Sequence, residues 1–84
     1  MSDKPIIVDG IKINITAEDI DDVDLAEMLE QGLITSAMRY VFGDEEFARI
    51  KEKLRDKETG KLKLSRLSEW FGKVSNILGT DVKN

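Results

Sequence analysis

Histidine and cysteine are both missing from this chain. Without cysteine, disulfides, thiol nucleophiles and thiolate metal ligands are excluded. Without histidine, the commonest general base and the commonest transition-metal ligand are gone. One proline, one tryptophan and one tyrosine leave no material for a proline-rich linker or an aromatic-basic platform that stacks bases. No apolar run approaches the roughly 20 residues that a membrane span requires. The opening "MSDKPIIVDG" lacks the apolar core of a signal peptide. The expected location is the cytoplasm, with no membrane partner.

What remains is an ordinary globular composition. The 84 residues are enough for one small domain, 40% hydrophobic and 36% charged, with both signs mixed. A formal charge of -4 argues against generic nucleic-acid binding, which relies on a net basic face. The charge is unevenly placed. Residues 18–30 hold seven acids and no base, whereas residues 51–66 hold seven bases against three acids.

The strand-like stretch is "PIIVDGIKINIT", residues 5–16. Two β-branched runs flank Asp9-Gly10, a pair suited to a two-residue hairpin turn. In the second run Ile11, Ile13 and Ile15 alternate with Lys12 and Asn14, so one face is apolar. A lone hairpin is marginal in water, so this face must lie on helices or on another chain. Everything after it reads as helix. A first helix starts at about Ala17 or Asp22, because Thr16 with Asp19 forms a capping-box pattern and Asp21 and Asp22 offer competing caps. It runs to Gln31 before Gly32, with Val23, Leu25, Met28 and Leu29 as its buried stripe. A second spans roughly Ile34 to Phe42, burying Ala37, Met38, Val41 and Phe42, with Gly43 ending it and Asp44 capping the next. A third carries Phe47, Ile50 and Leu54 at i, i+3 and i+7. The last begins at a Ser65 cap and places Leu67, Trp70, Phe71, Val74, Ile77 and Leu78 on a seam. The tail from residue 80 reads as flexible. The expected fold is mainly α: a small single-domain helical bundle of four or five short helices with an N-terminal β-hairpin, the helical core covering residues 17–79.

"DKETGKLKLSRLSEWF", residues 56–71, has the composition of a calcium loop but not its spacing. A loop starting at Asp56 puts Lys61 where the sharp turn needs Gly, and Leu67 where a bidentate Glu belongs. No metal and no cofactor is expected. Ser36, Ser65, Ser68 and Ser75 have no histidine to activate them, and no serine follows an aspartate as in an acyl carrier protein. Asp21-Asp22 and Glu45-Glu46 read as solvated helix starts. The chain is expected not to be an enzyme.

Trp70-Phe71 admits two readings. Both rings suit a small core. Adjacent helical positions diverge by about 100°, however, so one ring would reach the edge of the stripe. There, Trp70, Phe71 and Val74 with Ile11 and Ile13 would line a groove for a partner.

The order of elements is similar to that of a known family. "EDIDDVDLAEMLEQG", then "AMRYVFGDEEFARIKEKLRDKETGKLKL", then "LSEWFGKVSNILG" resemble the tail assembly chaperones of long-tailed bacteriophages of Gram-positive hosts. The similarity covers residues 17–79 and leaves out the hairpin. It implies a small, largely helical protein that binds the tape measure protein, or another amphipathic helix, and keeps it soluble during tail tube assembly. It also implies a bacterial host cytoplasm and, commonly, a longer frameshifted form. Self-association is a further expectation. Two other functions are compatible with the same features: a helical adaptor that regulates a partner helix, and a minor structural virion component.

Overall fold

The computed structural model describes residues 5–83, with side chains to residue 79. Two short strands, β1 (Ile6–Val8) and β2 (Ile11–Ile13), pair antiparallel in the register Ile6↔Ile13, Ile7↔Lys12 and Val8↔Ile11. Asp9 at φ 53° and Gly10 at φ 79° supply the left-handed pair that a two-residue hairpin turn requires. Ile11, Ile13 and Ile15 are buried, as their alternation predicts, while Ile7 and Lys12 face outward. Five helices follow: α1 (Ala17–Ile20), α2 (Val23–Glu30), α3 (Ile34–Phe42), α4 (Asp44–Leu54) and α5 (Leu64–Lys83). The class is the expected one, mainly helical with an N-terminal hairpin.

The single first helix of the sequence reading is two. Of the three candidate caps, Thr16 and Asp22 each start a helix, while Asp21 ends the first. The Asp19 carboxylate accepts from the Thr16 backbone N–H at 2.7 Å and from its hydroxyl at 3.2 Å, which holds the one turn of α1. The chain then breaks at Asp21, and Asp22 starts α2 by accepting from the Leu25 N–H at 3.2 Å. The other Asp22 oxygen accepts from the Tyr40 hydroxyl at 2.7 Å, tying α2 to α3. The restart changes which face is buried. Leu25 is interior and Met28 half-buried, but Val23 is 73% exposed and Leu29 39%, so two of the four expected stripe residues lie outside the core.

Asp44 was expected to cap α4; instead it is the first residue of that helix, and Gly43 occupies the cap position. Asp44, Glu45 and Glu46 then fill the first turn, where backbone N–H groups favour negative charge. Phe47, Ile50 and Leu54 are buried as their spacing predicts. The Phe47 ring is faced by the Lys51 ammonium at 4.7 Å and the Arg39 guanidinium at 5.5 Å, both cations favoured by its electron-rich face.

α5 is longer than its expected span. It begins at Leu64, one residue before Ser65, and continues past Gly79 to Lys83. Gly79, unlike Gly32 and Gly43, takes no positive φ, so nothing turns the chain out of the helix there. The expected loose tail is therefore helical from residue 80 to residue 83, and residue 84 lies outside the described residues. Leu67, Trp70, Phe71, Val74 and Leu78 are buried, whereas Ile77 sits at the edge and is half out in solvent.

The hairpin is fixed to the helices at four points. The Trp70 indole N–H donates to the Val8 carbonyl at 3.0 Å. Asp9 accepts from Arg66 and from Lys73, each at 3.1 Å. The Arg49 guanidinium, itself paired with Glu46, donates to the Lys12 carbonyl at 2.5 Å. Lys73 and then Arg66 hold the Asp9 carboxyl below its usual value, the Tyr40 hydroxyl does the same for Asp22, and Arg49 for Glu46. A carboxylate depressed in the folded state contributes stability above its unfolded pKa and loses it as pH falls through the folded value. Melting temperature should thus hold level down to about pH 5 and fall below about pH 4, near the unfolded carboxylate range. Asp9→Asn should flatten that acid limb in circular-dichroism melts. A parent whose melting temperature stays level into strong acid contradicts the linkage.

Candidate partner-binding groove

The five residues singled out for partner contact are interior. Trp70, Phe71, Val74, Ile11 and Ile13 are each 3% exposed or less. The apolar face of the hairpin and the stripe of α5 cover one another, and the indole N–H that would be costly to bury alone has found the Val8 carbonyl. The Phe42 ring completes this cluster, 5.9 Å from Trp70 and 6.4 Å edge-on from Phe71. As the lining of an open groove, the expectation is corrected for Trp70, Val74, Ile11 and Ile13.

Phe71 is the partial exception, because it also forms the floor of a groove on the far side of the core. That groove runs between the α2–α3 corner and α5 and has a volume of about 470 Å³. Leu29, Gly32 and Ile34 form one wall; Leu64, Ser68, Gly72 and Ser75 form the other. The last four lie at i, i+4, i+8 and i+11 of α5, which places them along one flank of the helix. Leu29, at the rim, and Leu64, 59% exposed, keep the groove apolar, and Leu33, 44% exposed, lies at the same α2–α3 corner.

Gly72 is the informative residue. Glycine inside a helix costs about 1 kcal/mol relative to alanine. A Cβ at this position would meet nothing within 4 Å, so the protein's own packing does not demand a glycine. What the missing side chain provides is a shallow place in the wall where another backbone can come close, with Ser68 and Ser75 small on either side. No ionisable group lines the groove, and its two serines face no histidine. It offers apolar contact and close approach.

Elsewhere, the Asp56 carboxylate accepts from the Glu58 N–H at 2.7 Å and the Thr59 N–H at 3.4 Å, closing a tight turn on itself. Among the described residues no group of three or more acids gathers to hold a metal ion. No helix among them is long and apolar enough to cross a membrane.

Sequence reasoning placed Leu29 in the core and gave Leu33 and Leu64 no role. The available signal was a glycine in mid-helix flanked by two serines at helical spacing. No family model, curated protein or solved structure matches the chain.

Proposed function

We propose that this chain is a non-enzymatic chaperone of phage tail assembly, which holds an amphipathic helix of the tape measure protein in the groove beside α5. The groove is the observation that carries the reading, together with the resemblance over residues 17–79. From Leu64 to Ser75 the wall runs about 16 Å at 1.5 Å per residue, enough for about three turns of a second helix. Such a helix presents apolar residues at i, i+3, i+4 and i+7, and small residues on the receiving side let the two backbones approach. The charged exterior, acidic along α1 and α2, keeps the complex soluble in the host cytoplasm.

Substitutions at Gly72 test this directly, because the space above it is open and the fold should tolerate them. Gly72→Ala should raise stability by about 0.5–1 kcal/mol through helix propensity alone, read as a higher urea midpoint, and should still protect. Gly72→Trp should stay folded but fill the groove. Co-expressed with the tape measure protein, the parent should keep it in the soluble fraction and Gly72→Trp should not. Equal protection by a folded Gly72→Trp protein moves the binding surface elsewhere. A parent that never keeps the tape measure protein soluble ends the chaperone reading.

A further inference from the structure

On the other flank of the buried stripe of α5, residues 54–66 enclose a separate cavity of about 580 Å³. Lys61, Lys63 and Arg66 line it together with Leu54 and Leu62. We propose that this cavity binds an acidic peptide segment, its carboxylates on the three cations and an adjoining apolar side chain against the two leucines. The site stands apart from the helix groove and does not depend on the function assigned to it.

The wall is built before any ligand arrives. The Asp56 N–H donates to the Lys61 carbonyl at 2.9 Å, and the Gly60 N–H donates to the Asp56 carbonyl at 2.8 Å. The Thr59 hydroxyl accepts from the Lys61 N–H at 3.2 Å, and the Arg55 guanidinium donates to the Gly60 carbonyl at 3.3 Å. A loop closed by its own hydrogen bonds loses little further freedom on binding, so more of the contact energy appears as affinity.

The charges are equally available. Asp56 is the acid in the wall, its Oδ1 accepting from the backbone N–H groups of Glu58 and Thr59, so three cations stand against one carboxylate. Lys61 and Lys63 make no ion pair among the described residues, and Arg66 shares its guanidinium with Asp9 alone. The first turn of α5 carries no acid, so the positive end of that helix adds to the field of the three side chains.

The remaining chemistry selects among anions. Leu54 and Leu62 would be idle against inorganic phosphate, whereas an acidic peptide has apolar neighbours to place on them. A nucleic acid would bring its long run of phosphates to a chain of net charge -4. It would also find no aromatic ring in this cavity on which to stack a base.

The test is a titration of isotope-labelled protein with a synthetic peptide of alternating glutamate and leucine, blocked at both ends. Amide shifts should centre on Leu54 and on residues 59–66. Lys61→Glu combined with Lys63→Glu should weaken binding by roughly tenfold or more, while Lys12→Glu on the outer face of the hairpin should leave it unchanged. The glutamine counterpart of the peptide should bind at least roughly tenfold less tightly. Gly72→Trp should bind the peptide like the parent, which separates this cavity from the groove. The inference is overturned if the double variant binds like the parent, if shifts centre on Gly32 and Gly72, or if inorganic phosphate or a single-stranded oligonucleotide matches the peptide.

Discussion

Trp70→Ala should remove most of the stability of this domain, at a cost of about 3–5 kcal/mol. A chain of this size has little to spare, since small domains sit near the low end of the usual range of about 5–15 kcal/mol. Two losses combine in the one change. The ring is fully buried against Phe42 and the hairpin, so its removal leaves a cavity that α5 cannot collapse into without dragging its neighbours. The indole N–H also disappears, leaving the Val8 carbonyl buried without its donor, a penalty of about 1–3 kcal/mol by itself. Trp70→Phe separates the two, because it keeps an aromatic ring and loses the donor, and it should fall between parent and alanine. Urea unfolding followed by circular dichroism measures all three. A Trp70→Ala midpoint equal to that of the parent would falsify the placement of this residue at the centre of the core.

Gly43→Ala should be the most costly of the glycine substitutions, about 1–3 kcal/mol, and for a different reason. Gly43 adopts φ 86° with ψ 165°, a region open to glycine and essentially closed to residues with a Cβ. It needs that conformation because it serves two helices. Its N–H donates to the Arg39 carbonyl at 2.8 Å to close α3, and its carbonyl accepts from the Phe47 N–H at 3.0 Å to open α4. A Cβ would meet no atom within 4 Å, so the loss comes from backbone strain and not from a clash. The comparison with Gly72 is therefore sharp. The same glycine-to-alanine change should destabilise at position 43 and stabilise at position 72. Thermal melts of both variants beside the parent decide it, and two shifts of the same sign contradict the backbone argument.

The parts of the fold that depend on periodicity were legible in the sequence. Ile11, Ile13 and Ile15 alternate and are buried; Phe47, Ile50 and Leu54 share a helical face and are buried. What periodicity could not give was the outcome of a competition between two good local signals. Thr16 and Asp22 each announce a helix start, and a one-dimensional reading keeps one, whereas the chain satisfies both by breaking at Asp21. That break turns Val23 out of the expected stripe. The groove was hidden for a similar reason. Leu29 and Gly72 are 43 positions apart in the chain and face one another only because the α2–α3 corner packs beside α5. Trp70 and Phe71 admit both a core and a groove-edge reading, because adjacent helical positions diverge by about 100° and periodicity alone does not say how wide the buried stripe is. Both rings are in the core.

The bond between Val8 and Trp70 joins positions 62 residues apart, and this bears on how the chain is made. Translation delivers the hairpin first and its cover last. While the nascent chain lengthens, α2 can settle on α3 and α3 on α4, since those neighbours follow one another closely. The Val8 carbonyl has no such local partner and waits until Trp70 has left the ribosome. Closure of the core is thus a late event in the life of each molecule. A ribosome that stalls before Trp70 releases a chain whose hairpin lacks its cover from α5, the kind of species that aggregates and that proteases clear.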